Sequence, residues 1–430
     1  MARRVAVIGA GWAGCAAALE LAASGVPVEL FEASRTLGGR ARAVWSDGLL
    51  LDNGQHILIG AYRETLRLLR RIGSEQWLLR RPLDWWLPGH LHLRVPRLPA
   101  PWHLAAALIG ARGLTWGERS AALRFMAAMQ RRRFTLTRDC TVDALLAGES
   151  QPDRLGDLLW RPLCLAALNT PASRASARVF LHVLRDAFAG PRSASDLLLP
   201  TADLSALLPD PAAAFVEARG GRIRRQCRVK TIRPDAAGFM LDDAGPYAQV
   251  IVAVAPWHLP PLLAAWPQLA ATARQAAALA SEPITTVWLD YGAGVELARP
   301  MLGCVDKPAQ WLIDRGALTG PHGLLAAVIS ASGPHDALDD AALMAAVQTQ
   351  IAGLQPELPP LRRARVMRIK RATFACTPDL ARPATATAVP GLWLAGDHVA
   401  GDYPGTLEGA VRSGIAAARA AIAATVGSGR

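Results

Sequence analysis

The sequence predicts an α/β fold with α+β insertions, in which both ends of the chain contribute to one domain. Two glycine-containing motifs, each preceded by a short apolar run at 5–8 and 392–395, lie at opposite ends of the 430-residue chain. Hydrophobic residues make up 51% of the chain and charged residues 19%, which is typical of a globular protein with a large core. We therefore expect one site that the two motifs close together.

The N-terminal motif predicts a dinucleotide-binding turn of the Rossmann type. The apolar run 5–8 suits a parallel strand that is buried on both faces. Gly9 permits the tight turn, Gly11 lets the backbone approach a pyrophosphate, and Gly14 lets the next helix pack on the strand. A helix predicted over 13–24 points its positive N-terminal end at the phosphates.

An acidic residue ends the second predicted strand, which covers 28–31. Glu32 lies at the distance from Gly9 where Rossmann-type domains carry the acid that accepts hydrogen bonds from the adenosine ribose, about 20 residues after the turn. An acid at this position favours a free 2′-hydroxyl. The motif therefore predicts FAD or NAD rather than NADP.

The residues directly after this acid separate FAD from NAD. Gly38-Gly39 lets the chain pass close to a ligand, and Arg40 can meet phosphate or flavin charge. The pattern Glu32-x-x-Arg35-x-x-Gly38-Gly39-Arg40 resembles the second fingerprint of the flavin amine oxidase and phytoene desaturase superfamily. Gly396-Asp397 is similar to the distal motif of that superfamily.

This resemblance implies an amine-oxidase-like fold with non-covalent FAD. In the superfamily the distal aspartate contacts the pyrophosphate and ribityl region, and the next helix N-terminus faces the flavin ring. The residues expected to contact FAD here are Gly9, Gly11, Trp12, Ala13, Gly14, Glu32, Ala33, Arg35, Gly38, Gly39, Arg40, Asn53, Gly54, Gln55, His56, Val229, Gly396, Asp397, Thr406, Leu407 and Glu408. Some amine oxidases attach flavin through a cysteine before the distal motif, but we expect Cys376 to be an ordinary thiol.

Internal stretches resemble a narrower family, the hydroxysqualene dehydroxylases, also called squalene-associated FAD-dependent desaturases. The stretches are 51–62, which reads Leu-Asp-Asn-Gly-Gln-His-Ile-Leu-Ile-Gly-Ala-Tyr, 162–171, which ends Leu-Asn-Thr-Pro, and 195–200. The resemblance covers nearly the whole chain. It implies that a C30 isoprenoid lipid is the substrate and that reduced FAD replaces its allylic hydroxyl with hydrogen. A single G-x-G-x-x-G motif leaves the electron donor undefined.

Two residues are candidates for the catalytic acid that such a reaction requires. His56 follows the turn that passes the reactive side of the ring in the superfamily, and a histidine titrates near neutral pH. Alternatively, His56 only positions the ring through hydrogen bonds. Asp402 lies between the distal motif and the helix that faces the flavin, but it also fits a plain turn before Tyr403-Pro404.

Other activities share these motifs. A carotenoid-type desaturase uses oxidised flavin to remove hydride and carries the same cofactor residues. An amine oxidase is disfavoured because only 4 tyrosines are present, and no aromatic cage is evident. A non-catalytic prenyl-lipid escort has no use for flavin, so Glu32 and Gly396-Asp397 argue against it.

We predict a discontinuous arrangement of two domains. Residues 1–75, 204–258 and 372–430 form the FAD-binding domain, with a strand expected over 227–232. The insertions 76–203 and 259–371 form the substrate-binding domain. Six cysteines without a C-x-x-C pair predict no metal site and a reducing, cytoplasmic setting. We expect neither a signal peptide nor a membrane-spanning segment.

The segment 77–138 combines strong positive charge with tryptophan. It holds eleven arginines against Asp84 and Glu118, and five tryptophans beside the apolar run 104–111. This combination suits a protein that docks peripherally on the inner face of a membrane without crossing it. A solvated basic face and arginines in internal ion pairs are alternatives. Nucleic acid is not an expected partner, because no binding motif for it is present.

Overall fold

The computed structural model describes residues 4–305, 308–355 and 357–427. The strands within these residues are β1 (Val5–Ile8), β2 (Val28–Phe31), β3 (Ala43–Ser46), β4 (Leu49–Asp52), β5 (Leu58–Ile59), β6 (Leu78–Arg81), β7 (Asp84–Leu87), β8 (Leu91–Arg94), β9 (Leu197–Pro200), β10 (Arg222–Arg224), β11 (Ile232–Asp235), β12 (Gly238–Leu241), β13 (Ala244–Tyr247), β14 (Gln249–Val252), β15 (Ser281–Asp290), β16 (Met301–Gly303), β17 (Trp311–Asp314), β18 (Leu324–Ser330), β19 (Arg363–Phe374) and β20 (Leu392–Leu394).

The α-helices lie along the whole chain and include an uninterrupted helical series over 102–188. They are α1 (Trp12–Ala23), α2 (Arg63–Arg71), α3 (Trp102–Ile109), α4 (Trp116–Arg131), α5 (Val142–Gly148), α6 (Asp153–Leu155), α7 (Arg161–Leu168), α8 (Ala177–Phe188), α9 (Leu204–Leu207), α10 (Pro209–Glu217), α11 (Leu259–Leu263), α12 (Ala270–Ala277), α13 (Arg315–Thr319), α14 (Asp340–Leu354) and α15 (Leu407–Gly427). Among the described residues, no helix combines the length and apolar character that a membrane crossing requires.

One of the two large sheets is parallel, and its strands come from both ends and the middle of the chain. Its strand order is β10-β2-β1-β14-β20, so the N-terminal strand lies at the centre and the C-terminal strand at an edge. All four residues of β1, β2 and β14 are buried, because helices and loops cover both faces. Helices α1 and α15 pack together over this sheet and share an alanine- and leucine-rich core. The predicted α/β class is therefore confirmed.

A second, antiparallel sheet has the order β16-β17-β18-β15-β19. Helix α14 packs on one face of it through Leu343, Val347 and Ile351. Helices α4, α5, α7 and α8 build a further apolar core that reaches the same sheet through Trp288 and Trp311. The expected domain boundary at residue 372 falls inside β19, which continues to Phe374.

The strand predicted over 227–232 is wrong in its position. The ladder begins only at Ile232 and pairs with β12. Upstream, the backbone N–H groups of Lys230 and Thr231 donate to the Asp242 carboxylate at 3.0 and 2.9 Å, and so are not available to a neighbouring strand. Residues 227–230 line a large cavity instead.

Only some residues of the basic segment 77–138 lie on the surface. Trp85 belongs to the core, where its indole N–H donates to Leu158 O at 3.2 Å. Arg80 and Arg132 form ion pairs with Asp196 and Glu149, both outside the segment. Acids from elsewhere in the chain therefore neutralise part of the predicted local charge.

A buried ion pair joins the two halves of the structure. Asp52 ends β4, and its carboxylate accepts hydrogen bonds from the Leu204 N–H at 2.8 Å and from Arg315 Nη2 at 2.7 Å. Arg315 also donates to Pro200 O and Ala202 O, and its side chain is 5% exposed. The pair therefore fixes the chain just before the stretch 53–56.

Replacing Arg315 tests the contribution of this pair to stability. Arg315→Met leaves the Asp52 carboxylate buried without its charged partner, so we expect the free energy of unfolding to fall by about 3–5 kcal/mol. Urea unfolding followed by circular dichroism measures this loss. The double variant Asp52→Asn/Arg315→Met should recover part of it, whereas the exposed Arg365→Met serves as the control. An Arg315→Met protein as stable as that control would contradict the prediction.

Candidate active site

A cavity of about 730 Å³ lies where the two glycine motifs meet. The predicted cofactor residues that line it are Gly9, Gly11, Trp12, Ala13, Glu32, Ala33, Gly38, Gly39, Arg40, Asn53, Gly54, Gln55, His56, Val229, Gly396, Asp397, Thr406 and Leu407. Gly14, Arg35 and Glu408 are absent from its wall. Residues from both ends of the chain therefore share one concave site, as the sequence predicts.

The glycine turn after β1 has the shape that a bound phosphate needs. A Cβ at Gly14 would come 1.8 Å from Gly9 O, so this glycine allows α1 to pack against the turn. A Cβ at Gly11 would meet nothing within 4 Å and would project into open space. No side chain caps the N-terminus of α1, so its first N–H groups are available to an anionic ligand.

Glu32 stands at the end of β2 with its carboxylate in the cavity. One oxygen accepts a hydrogen bond from the Ala10 N–H at 2.8 Å, and the other accepts from the N–H and hydroxyl of Ser34, each at 2.8 Å. These bonds hold the carboxylate against the glycine turn. A carboxylate oxygen has more than one lone pair, so both oxygens can still accept hydroxyl groups.

An ion pair connects the two motifs inside the cavity. Arg40 Nη2 lies 2.5 Å from Asp397 Oδ1, and Arg40 Nη1 donates to Ala372 O at 2.6 Å. Burial alone would raise the pKa of Asp397, but the Arg40 guanidinium and the adjacent His398 ring together outweigh that effect and hold the pKa well below its usual range. The carboxylate therefore stays ionised at neutral pH and keeps the pair closed.

The loop 53–56 forms another wall. Asn53 Nδ2 donates to Arg40 O at 3.2 Å, and His56 Nδ1 lies 3.1 Å from Gly54 O. Burial lowers the pKa of His56 below its ordinary value, and the positive charge of Arg40 lowers it further, although the Gly54 hydrogen bond opposes them. His56 is therefore neutral at pH 7, with its Nδ1–H donated to Gly54 O.

Gln55 in the same loop shows that the cavity is built for a polar ligand. Its Oε1 is buried and has no hydrogen-bond partner among the described residues. A buried carbonyl oxygen without a donor is unfavourable, and native proteins seldom leave one unmatched. The residues present thus fit a ligand that brings both phosphate charge and hydrogen-bond donors.

Glu408 has a different role from the one predicted. It is fully buried, and its carboxylate accepts the N–H groups of Glu64 and Thr65 at 3.1 and 2.9 Å, the Thr65 hydroxyl at 2.7 Å and Arg412 Nε at 2.7 Å. It therefore caps the start of α2 and fixes that helix to α15. We reassign Glu408 from cofactor contact to this structural function.

Three further predictions need adjustment. Arg35 is exposed and does not reach the cavity, because its side chain leaves the turn on the solvent side. Gly14 allows α1 to pack against the turn but does not line the cavity. The Asp402 side chain is 80% exposed and lies outside the cavity, 3.9 Å from His182 Nδ1. Asp402 is therefore wrongly placed to protonate a substrate in the cavity, and it is removed from the catalytic candidates.

Sequence reasoning missed His398 and Tyr62, which both line the cavity. His398 is 2% exposed, and neither ring nitrogen has a hydrogen-bond partner among the described residues. Burial raises the pKa of Tyr62, and the nearby charge of Glu408 raises it further, so the phenol stays protonated. The signal for His398 was its position directly after the Gly396-Asp397 motif.

One part of the cavity wall is apolar and comes from four separate segments of the chain. Ile57, Ala166 of α7, Ile284 of β15 and Ile369 of β19 contribute to it. Asn169 ends α7 in a left-handed conformation and fixes this helix to the second sheet, because Nδ2 donates to Thr373 Oγ1 at 3.0 Å. This wall can surround an extended hydrocarbon.

Comparison with known proteins identifies the family. The family of flavin containing amine oxidoreductases matches residues 12–422. The chain belongs to this family. It is 30% identical over 451 residues to the hydroxysqualene dehydroxylase of Rhodopseudomonas palustris, with 99% of each chain covered. It is 26% identical to a zeta-carotene desaturase of Synechocystis, with 98% of this chain and 97% of the relative covered.

Solved structures with low sequence identity share the fold. Cyclohexylamine oxidase from Brevibacterium oxydans superimposes with a TM-score of 0.71 at 17% identity, and both chains are fully covered. Together these relationships make the protein an FAD-dependent oxidoreductase with an amine-oxidase-like fold. The escort interpretation, which required no flavin, is therefore wrong.

Removing the acid in the cavity tests the assignment of the adenosine end. We expect Glu32→Ala to weaken FAD binding by about 1–3 kcal/mol, because a hydrogen-bonding group that bound FAD would cover is lost. Quenching of flavin fluorescence during titration of the apoprotein measures the affinity. The exposed Glu217→Ala is the matched control. Equal FAD affinity in both variants would refute the role of Glu32.

Proposed function

We propose that the protein reductively removes the hydroxyl group of hydroxysqualene and so releases squalene. The cavity wall carries the proposal, because apolar residues from α7, β15 and β19 adjoin the motif residues that fit FAD. Bound reduced FAD supplies the hydride for this replacement. The similarity to hydroxysqualene dehydroxylases over 99% of the chain supports the same substrate class. The leaving oxygen takes up a proton and departs as water.

In this proposal the apolar wall orients the substrate and excludes water. A C30 chain offers no charge to hold, so its orientation depends on the shape of the wall and on excluded water. Ile57, Ile284 and Ile369 supply that shape, and residues 76–203 and 259–371 form the proposed substrate-binding domain. Water exclusion also protects a cationic allylic centre from capture by solvent.

We further propose that FAD is held without a covalent bond. Cys376 is buried and does not belong to the cavity wall, and its backbone N–H donates to Thr170 Oγ1 at 3.0 Å. Burial raises the pKa of this thiol to about 12, so it is not a thiolate at neutral pH. These features favour a structural thiol rather than an attachment site.

His56 is proposed to orient the reactants as a neutral imidazole rather than to donate the proton. The contact between Nδ1 and Gly54 O leaves Nε2 as an acceptor, and the lowered pKa keeps the ring neutral. A general acid needs a proton to give at working pH, and this ring holds none beyond the one shared with Gly54.

The His56 variants distinguish the two roles. His56→Gln, which still forms hydrogen bonds, should keep turnover within about tenfold of the native protein, and His56→Ala should lose more. Loss of a general acid typically costs about 10²–10⁴-fold and would affect both variants equally. Turnover at saturating substrate should also be constant between pH 7 and 8, since the neutral form dominates there. FAD content, measured by absorbance, controls for cofactor loss.

Product analysis tests the reaction itself. Anaerobic incubation of the holoprotein with hydroxysqualene and reduced FAD should give a lipid that has lost one oxygen atom. A carotenoid-type desaturase is the second candidate, favoured by the 26% identity to zeta-carotene desaturase. That activity requires oxidised FAD, and its product carries an additional double bond at unchanged oxygen content. Mass spectrometry of the extracted lipid separates these outcomes.

We also propose that the protein docks peripherally on the cytoplasmic membrane face through an apolar tip, defined as Leu98, Trp102, Ile109 and Trp116. These side chains are 42–72% exposed. Arg119 lies 4.6 Å from the Trp116 ring centroid and donates to Ile109 O at 2.7 Å, so it places positive charge beside the tip. Exposed tryptophan next to arginine favours the lipid interface, where an insoluble substrate resides.

Removing the apolar tip should weaken membrane binding. Trp102→Ala/Trp116→Ala should lower partition onto anionic vesicles by on the order of tenfold, equivalent to about 1.4 kcal/mol. Trp45→Ala is the matched control, because Trp45 is 73% exposed on the β3–β4 hairpin. Vesicle co-sedimentation measures partition. Equal losses in the two proteins would show that the tip has no special role.

A further inference from the structure

A second cavity, of about 820 Å³, lies apart from the cofactor cavity and shares no lining residue with it. We call it the arginine cavity. Its wall includes Arg81, at the end of β6, Arg94, at the end of β8, and Arg97 and Arg299 from loops. Nothing in the proposed reaction uses these residues.

The charge of the arginine cavity is unbalanced. Four arginines and one aspartate line it, which leaves a formal charge of +3. The single acid, Asp84, is already engaged, because its oxygens lie 3.2 Å from Arg299 Nε and 2.7 Å from His92 Nε2.

The other three arginines of the wall have no acidic partner in the part of the chain that the structure describes. Within the described ranges, Arg81, Arg94 and Arg97 form no ion pair with an acidic side chain, although arginines elsewhere in the chain commonly do. Three exposed guanidinium groups around one concavity repel one another. An anion in the cavity would relieve that repulsion and could accept several charge-assisted hydrogen bonds at once.

The remaining wall of the arginine cavity is apolar. Leu197 and Leu199 belong to β9 and, two residues apart, face the same side of that strand. Val95 and Met301 complete the surface, and Val95 is 2% exposed. A site for a small inorganic anion would need no such wall. A wall that combines arginines with apolar side chains instead suits a ligand with an anionic group and a hydrocarbon part.

We propose that the arginine cavity binds the phosphate headgroup of an anionic phospholipid, with the upper part of an acyl chain on the Leu197 and Met301 surface. The cavity adjoins the apolar tip in sequence, since Arg97 is followed directly by Leu98. Docking would thus combine insertion of the tip with recognition of one lipid headgroup. The inference extends the proposed membrane docking and is independent of the dehydroxylation reaction.

Soluble lipid tests this site without a membrane. Dihexanoyl phosphatidylglycerol below its critical micelle concentration should bind the holoprotein with one site in isothermal titration calorimetry. Dihexanoyl phosphatidylcholine, which has the same tails and no net charge, should bind at least about tenfold more weakly. Inorganic phosphate should compete only at much higher concentration, because it makes no contact with the apolar wall.

Matched variants locate the binding. Arg81→Gln/Arg94→Gln/Arg97→Gln should weaken phosphatidylglycerol binding by at least about tenfold and leave FAD content and the unfolding temperature unchanged, since these side chains are exposed. The control Arg274→Gln/Arg365→Gln removes exposed arginines outside the arginine cavity and should bind as the native protein does.

Three outcomes would overturn the proposal. They are equal affinity for both lipids, unchanged binding by the triple variant, and full competition by phosphate at the lipid concentration. Loss of vesicle docking in the tip variant, with soluble lipid still bound, would support the arginine cavity as a separate site. Conversely, intact vesicle docking without soluble-lipid binding would refute the arginine cavity and leave the docking proposal standing.

Discussion

The contact between Arg40 and Asp397 is the constraint on which the site depends, since it joins positions 357 residues apart. The two side chains belong to loops that follow different strands, so the contact ties one loop to the other. Arg40 also holds Ala372 O at the end of β19, so one guanidinium connects both sheets. The buried Asp52–Arg315 pair is a second ion pair between residues distant in sequence, and it fixes the chain directly before the loop 53–56. Two ion pairs thus fix the frame within which FAD and substrate meet.

Local chemistry explains why much of this frame could be predicted from the sequence. Strands β1 and β2 are short apolar runs, and the turn between β1 and α1 requires glycine at positions where a side chain would collide. The position of Glu32 in the cavity could be predicted from its spacing after Gly9 in the sequence. Such features depend on neighbours in sequence, and the motif residues that carry them lie in the cavity.

The misplaced residues depend instead on partners that are distant in sequence. Glu408 is next to the predicted helix start, yet its carboxylate turns to Thr65, and no local pattern indicates that choice. Trp85 is one of several tryptophans in a basic segment, and only the packing against Trp311, at 4.8 Å between ring centroids, makes it a core residue. Asp402 and His398 flank the same turn, but the fold exposes one and buries the other.

The packing of α15 on α1 makes the N-terminal cofactor turn dependent on a segment that comes much later in the sequence. A Cβ at Gly414 would lie 2.0 Å from Ala13 O, so the last helix seats directly on the first turn of the cofactor motif. The edge strand β20 and Asp397 come from the same late region of the chain. The glycine turn is therefore completed by residues 392–427, which lie far from it in the sequence. A chain truncated before β20 would lack both Asp397 and the helix that packs on this turn, and we expect it to retain no flavin.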